Sequence, residues 1–225
     1  MYHRVSPDHA DEMTVTMDQL DAQLAWVKAE GFHFPAVSEI VENRIPRMSV
    51  LVTFDDAYLD TFVYARPVLA SLGIRPAVFV PTAYIGSSSA WDIDAHPIMT
   101  ASQLRLLAVD GYEIGLHSHL HGNYAALAPE EIDRDLREAT FALKTHGLPP
   151  ARVFAYPFGG RPQSPAASVA MKVSLRTQGI SLGFRIGNRV NPLPLPDPLE
   201  IQRLSVRGDR DLRSFKRQVA FGKLF

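Results

Sequence analysis

Two adjacent carboxylates follow a short apolar run in the first quarter of the chain. Residues 49–56 read SVLVTFDD, so Asp55 and Asp56 come at the end of a predicted buried strand. In parallel α/β folds, chemistry collects at the carboxyl ends of such strands. Neighbouring acids repel, and one pKa rises unless a cation or hydrogen bonds stabilise both charges. An Asp-Asp pair alone also suits a turn or a helix N-cap, so the interpretation depends on partners elsewhere in the chain.

A second apolar run, residues 112–116, ends in a cluster of histidines. His117 and His121 are four residues apart, and one helical turn after the strand would place both imidazoles on one face, roughly 5–6 Å apart at Cβ. Two neutral imidazoles and one carboxylate form a facial triad with open coordination positions, which is typical of a catalytic metal site. The second carboxylate would remain free to act as a base.

These motifs resemble those of the polysaccharide deacetylase family, the NodB-like metal-dependent N-deacetylases among the carbohydrate esterases. The family's Thr-Phe-Asp-Asp motif matches residues 53–56, and its His-Ser/Thr-x-x-His motif matches residues 117–121. The branch that acts on poly-N-acetylglucosamine is most similar, because it opens with Tyr-His, as at Tyr2 and His3. It also carries Phe-Ala-Tyr-Pro-Tyr-Gly where this chain has FAYPFG at residues 154–159.

The resemblance implies a role for each matching residue of the first two motifs. Asp55 would be the general base, while Asp56, His117 and His121 would bind a divalent metal, zinc first, with cobalt or nickel as alternatives. Such an ion lowers the pKa of its bound water and polarises an amide carbonyl. Asp55 would then take a proton as that water attacks.

The third motif would complete the site. The resemblance places the oxyanion donor at the backbone N–H of Phe158, with Tyr156 and Pro157 beside it as substrate-binding residues. Ser118 would lie next to the metal ligands and help to position them without binding the metal itself. Trp91 lies in a predicted loop near the motifs, where an aromatic ring could stack on a sugar or pack against the loop itself.

The chain also departs from the family pattern. Ala155 stands where most members have an arginine that orients the base, and Phe158 stands where they have a tyrosine. No histidine follows His146, so the C-terminal Leu-His motif that supplies a general acid in much of the family is missing. His3 is the candidate for that proton donor, and slow turnover or a degraded site are the alternatives.

Composition narrows the class of protein and of partner. The 225 residues are 46% hydrophobic with a formal charge of −1, which suits a single α/β domain over 1–225 and gives no electrostatic attraction to nucleic acid. The motif-bearing core is about 49–160. The absence of cysteine excludes disulfides and thiolate zinc sites. Without a leader or a long apolar run, the sequence as given predicts a cytoplasmic protein with no membrane span, or a cell-envelope location if the start is truncated. Nothing in the sequence indicates the oligomeric state.

Helical and strand patterns alternate along the chain. Together with the resemblance, this alternation predicts a distorted (β/α)7-type barrel, the NodB-like deacetylase fold. The charged residues of the longest helix are expected to be solvated. The predicted helices cover 16–30, 58–72 with a kink or split at Pro67, 102–109, 129–146, 164–178 and 208–225. The predicted strands are the run before Asp55, then 77–80, 112–116, 153–155 and 180–186, followed by a proline-rich loop at 191–198.

The predicted function is metal-dependent hydrolysis of the acetamide of N-acetylated amino sugars in a polysaccharide or glycoconjugate. One alternative is a related amidohydrolase acting on a small amide or imide, because the same centre suits any such carbonyl. The other is a sugar-binding homologue with little or no turnover.

Overall fold

The computed structural model describes residues 1–222, and its centre is a parallel sheet. Six strands pair in chain order from β3 to β8, and β1 pairs with β2 in a separate two-stranded sheet. The strands are β1 (Arg4–Ser6), β2 (Thr14–Thr16), β3 (Thr53–Phe54), β4 (Ala77–Val80), β5 (Glu113–Leu116), β6 (Val153–Ala155), β7 (Leu182–Ile186) and β8 (Ile201–Arg203).

Helical segments connect the strands of the central sheet from β3 to β7, a proline-rich loop connects β7 to β8, and this alternation confirms the predicted α/β class. The helices are α1 (Met17–Ala29), α2 (Val37–Val41), α3 (Arg66–Leu72), α4 (Ala101–Val109), α5 (Pro129–Thr145), α6 (Pro165–Thr177) and α7 (Leu212–Phe221). None of those described is long and apolar enough to cross a membrane. Residues 223–225 of the predicted terminal helix lie outside the described residues.

The first residues of the chain lie between the two edges of the sheet. The N–H of Tyr2 donates to the carbonyl of Thr53 at 2.8 Å, and the carbonyl of Tyr2 accepts from the N–H of Asp55 at 3.0 Å. On the other side, the carbonyl of Met1 accepts from the N–H of Val206 at 3.0 Å. The sheet therefore curls until β3 and the segment after β8 flank this short stretch, as a distorted barrel of about seven strands requires.

Local signals explain where the helices begin and bend. Thr16 caps α1 in a reciprocal capping box with Gln19, as the sequence predicts. The helix predicted over 58–72 passes through a π-helical turn at Thr61–Ala65 before α3. Pro67 follows that turn, and a wide turn accommodates a residue whose ring and missing N–H disfavour a regular α-helix.

The strands of the barrel are buried on both faces. The interior side chains include those of Phe79, Val153 and Phe184, and the outward ones, such as Phe154, pack beneath the helices. The interior leaves no room for a side chain at position 115 on β5, because a Cβ on Gly115 would lie 2.6 Å from a methyl group of Val153. Burial on both faces is typical of a parallel sheet whose connecting helices cover the outside.

Candidate metal centre and active site

The two aspartates leave the end of β3 in different directions. Both are buried, with 2% of Asp55 and 3% of Asp56 exposed. Asp56 and Ala57 adopt left-handed backbone conformations, with φ of 68° and 53°. Consecutive non-glycine residues in this region are strained and persist only where the surroundings impose them. The turn gives the neighbouring carboxylates separate surroundings.

Asp55 is paired with an arginine that the sequence analysis did not identify as part of the site. The guanidinium of Arg203 donates to both carboxylate oxygens of Asp55, at 2.5 and 2.7 Å. Burial alone would raise the pKa of Asp55, but the charge of Arg203 and its hydrogen bonds outweigh burial and place that pKa well below its usual range. The carboxylate is therefore ionised and fixed in orientation at neutral pH.

A weak signal for Arg203 is present in the sequence. Apolar Leu199 and Ile201 alternate with polar Glu200 and Gln202, and the two apolar residues are the more deeply buried. This alternation places Arg203 on the same inward face as Ile201. Because β8 has only three residues and follows a proline-rich loop, the sequence analysis did not identify it as a strand.

The histidines converge with Asp56, although not through the helical turn considered from the sequence. Ser118 and His121 have positive φ of 63° and 56°, so the loop doubles back sharply. The Nε2 atoms of His117 and His121 lie 3.4 and 3.0 Å from Oδ1 of Asp56. One potential ligand atom from each residue lies within 4.8 Å of the others.

This set of donors fits a divalent metal. Apart from the two imidazoles, the buried Oδ1 of Asp56 has no hydrogen-bond partner among residues 1–222. Nδ1 of His117 lies 2.8 Å from the carbonyl of Ala155 and, as the donor in that bond, leaves the lone pair of Nε2 facing the carboxylate. Burial, opposed by the two aspartates, lowers the pKa of His117 to about 4, so the imidazole is neutral at pH 7, as a ligand must be. Two nitrogens and one oxygen suit zinc, cobalt or nickel.

A buried carboxylate on α5 supports the histidine loop. Asp135 is 7% exposed and accepts hydrogen bonds from the N–H groups of His119 and Leu120 and from the hydroxyl of Tyr124, at 2.9, 3.2 and 2.7 Å. The expectation that the charged residues of this helix are solvated is wrong for Asp135. Its side chain points inward because the loop above offers three donors that need an acceptor.

The third motif lies beside the histidines, but its residues face different ways. The ring of Phe158 is 59% exposed and meets that of His121 edge-on, with centroids 4.8 Å apart. Tyr156 is fully buried and donates its hydroxyl hydrogen bond to the carbonyl of Leu199. Its side chain thus belongs to the core and not to a substrate surface, which corrects the sequence-based expectation. Pro157 is buried as well.

The two remaining candidates lie near the predicted ligands. Ser118 is fully buried, and its hydroxyl accepts from the N–H of Gly122 at 3.2 Å, which closes the histidine loop. His3 is 9% exposed, and its Nδ1 has no partner in the part of the chain that the structure describes. His3 follows Tyr2, whose carbonyl accepts from the N–H of Asp55, and a positive charge on His3 would lower the pKa of both Asp55 and Asp56.

Aromatic residues near the motifs differ in their surroundings. Tyr124 is fully buried and stacks on Phe154, so it packs in the core. Trp91 is half-buried and stacks on His121, with ring centroids 4.0 Å apart. Trp91 therefore contacts His121, a predicted metal ligand.

A buried Asp-His-His set beside an ionised carboxylate, at the carboxyl end of a parallel barrel, is the arrangement that metal-dependent hydrolases use. Comparison with known proteins identifies the family. The family described as "Polysaccharide deacetylase" matches residues 42–176, and the chain belongs to this family. The predicted family is therefore confirmed.

Curated relatives are distant in sequence. A poly-beta-1,6-N-acetyl-D-glucosamine N-deacetylase of Staphylococcus epidermidis is 24% identical over 213 residues, which cover 87% of this chain and 69% of the relative. A putative polysaccharide deacetylase of Bacillus subtilis, YxkH, is 24% identical over 164 residues, or 71% of this chain and 55% of the relative. The chain thus spans from about half to about two thirds of the length of these relatives.

Solved structures share the fold over nearly the whole chain. IcaB from Ammonifex degensii superposes with a TM-score of 0.79 at 27% identity and covers 97% of this chain and 93% of its own. The Streptococcus pyogenes deacetylase PplD, in complex with acetate, has a TM-score of 0.80 at 20% identity, with coverage of 97% and 96%. These similarities confirm the NodB-like barrel.

Proposed function

We propose that this chain is a metal-dependent N-deacetylase that hydrolyses the acetamide of N-acetylated amino sugars in a polysaccharide or glycoconjugate. The observation that carries the proposal is the position of Asp55, fixed by Arg203, beside the converging Asp56, His117 and His121. The family match and the name of the Staphylococcus epidermidis relative support an N-acetylglucosamine polymer as the substrate class.

Asp56, His117 and His121 would bind the metal. A bound divalent ion of the zinc, cobalt or nickel type would polarise the amide carbonyl and make water a stronger acid. The neutral imidazole of His117 and the buried carboxylate of Asp56 already have the protonation states that binding needs.

Asp55 would accept the proton of the attacking water. Its bond to Arg203 keeps the carboxylate charged and prevents rotation, so an oxygen lone pair stays aimed at one place. A carboxylate with so low a pKa is a weak base, and it suits a water whose own pKa has been lowered. This pairing would supply the orienting arginine that is missing at Ala155.

Phe158 would stabilise the tetrahedral oxyanion through its backbone N–H. Its ring contacts His121, so its peptide lies at the border of the proposed metal site. A preorganised N–H acts at the point where charge develops, and a phenylalanine provides it as well as a tyrosine does. The departure from the family pattern at this position would then leave the chemistry intact.

His3 would protonate the leaving amine, in place of the missing C-terminal histidine. We expect His3→Gln to lower kcat for an acetamide by about 10²-fold or more. An aryl acetate, whose phenolate leaves without a proton, should be hydrolysed at close to the wild-type rate. Exposed His9 provides the control, as His9→Gln. Equal losses on both substrates would assign His3 to structure instead of proton transfer.

Acetate release tests the proposed function itself. The protein, purified without metal and then supplied with zinc, cobalt or nickel, is assayed on N-acetylglucosamine oligomers and on a panel of small amides and imides. We expect acetate from the oligomers only. Turnover confined to small amides or imides would favour the amidohydrolase alternative, and oligomer binding without acetate release would favour a sugar-binding protein.

A further inference from the structure

The two histidines of the proposed metal site are oriented by different means. Nδ1 of His117 is hydrogen bonded to the carbonyl of Ala155, the usual way in which a metal-ligating imidazole is fixed. Nδ1 of His121 is buried, and it has no hydrogen-bond partner among the described residues. With Nε2 of His121 bound to the metal, no hydrogen bond to the described residues would restrict the rotation of the ring.

Aromatic rings surround His121 instead. Trp91 stacks on the face of the imidazole, with centroids 4.0 Å apart and an angle of 26° between the planes. Phe158 approaches at 4.8 Å and 66°, close to edge-on. Stacked and edge-to-face contacts are the geometries that aromatic pairs prefer. Together the two rings leave little freedom for the imidazole to rotate.

Trp91 is itself firmly positioned, although it lies in a loop. The ring of Tyr84 packs edge-on against it, with centroids 4.9 Å apart and an angle of 79°. The next residue, Asp92, accepts a hydrogen bond of 2.6 Å from the hydroxyl of Tyr58. Tyr58 is buried two residues after Asp56, so the loop is tied to the segment that carries the acidic pair.

We infer that Trp91 is a positioning residue for His121, and that its ring stack takes the place of the hydrogen bond that orients a metal-ligating histidine. This inference rests on the metal site of the proposed function. The indole keeps Nε2 of His121 aimed at Oδ1 of Asp56, 3.0 Å away. Without the indole the imidazole could rotate, and we expect this to weaken metal affinity more than it lowers the stability of the fold.

Zinc affinity tests this role without any measurement of activity. We expect Trp91→Leu to weaken zinc binding by about 10- to 100-fold, measured by competition with a chromophoric chelator. Trp91→Phe should restore most of the affinity, because it keeps an aromatic face. Trp26 on α1 packs against Phe215 on α7, and Trp26→Leu provides the matched control. Circular dichroism checks that each variant is folded, and Trp91→Met replaces the leucine variant if that one is not.

The fluorescence of the chain gives a second readout, since Trp26 and Trp91 are its two tryptophans. Cobalt or nickel bound at His121 should quench the emission of Trp91 by direct contact. Quenching should persist in Trp26→Phe and disappear in Trp91→Phe.

Wild-type zinc affinity in folded Trp91→Leu would overturn this inference alone. A wild type that binds none of these ions would overturn it together with the proposed metal site.

Discussion

At the scale of single residues, the two adjacent aspartates differ in their partners. Asp55 faces Arg203, which keeps it ionised, and Asp56 faces two imidazole nitrogens. The orienting arginine expected at the position of Ala155 on β6 is absent, and Arg203 reaches the same carboxylate from β8. Because β6 and β8 both direct side chains into the barrel interior, an arginine on either strand can contact Asp55.

Replacement of Arg203 should change the pH dependence of catalysis. Arg203 lowers the pKa of Asp55, so in Arg203→Met that pKa rises and the base is protonated at higher pH. We expect the acidic limb of the kcat/KM profile to move to higher pH and kcat to fall by about 10²-fold. The measurement is a pH–rate profile on an acetylated oligomer.

Arg203→Lys and Arg152→Met serve as comparisons for that profile. Lysine keeps a charge but cannot form the paired bonds, so an intermediate shift is expected. Arg152 is an exposed residue before β6 that pairs with Glu113, and its loss should not move the limb. An unchanged acidic limb in active Arg203→Met would contradict the assignment of Asp55 as the base that Arg203 controls.

At the scale of elements, the histidine loop depends on α5. Asp135→Asn replaces one carboxylate oxygen with an NH₂ group that faces an N–H or hydroxyl donor, whichever way the amide turns. We expect a loss of about 1–3 kcal/mol in the free energy of unfolding and about a 10-fold weaker affinity for zinc. Denaturant titration and chelator competition measure the two effects. Exposed Glu138 on the same helix provides the control as Glu138→Gln, and zinc affinity unchanged by Asp135→Asn would separate α5 from the metal site.

A partly buried ion pair between β1 and the helical segment after the aspartates should make stability depend on pH. Arg4 donates to Asp60 at 3.1 Å, yet burial dominates and raises the pKa of Asp60 to about 6. The folded state thus binds this proton more tightly than the unfolded state. The resulting stability is complete below the unfolded pKa of about 3.9 and is lost as the pH rises through the folded pKa.

Asp60→Asn should remove this dependence. The free energy of unfolding of Asp60→Asn minus that of wild type should increase by about 2 kcal/mol as the pH rises from about 4.5 to about 7. Urea titrations across that range measure it, with exposed Asp21→Asn as the control. A constant difference between Asp60→Asn and wild type across the range would show that Arg4 already compensates the buried charge.

At the scale of the whole molecule, the parts predicted from the sequence are those with local signals. Capping at Thr16, the regular apolar spacing of α5 and the two motif-bearing strands are all local, and each lies where the pattern indicates. The pairing of Arg203 with Asp55 joins residues far apart in the chain, and no local pattern specifies it. The same is true of Met1 and Tyr2 lying between the sheet edges.

Short strands and buried polar residues limited the remaining predictions. β1, β2 and β8 have three residues each and, unlike the equally short but wholly apolar β6, contain only one apolar residue apiece. Asp135 could not be distinguished in the sequence from the solvent-exposed acidic residues of α5. The three groups that donate hydrogen bonds to it belong to a loop whose path the sequence does not specify. The positive φ angles of Ser118 and His121 belong to that same path, and the histidines meet because of them.

In the proposed mechanism, Asp55 acts as the base while the neighbouring Asp-His-His set binds the metal. The most direct test measures bound zinc and acetate release from N-acetylglucosamine oligomers for wild type, Asp55→Asn and His117→Ala in parallel. We expect that wild type binds zinc and releases acetate, that Asp55→Asn binds zinc and releases none, and that His117→Ala does neither. Loss of zinc in folded Asp55→Asn, or full zinc binding in His117→Ala, would contradict it.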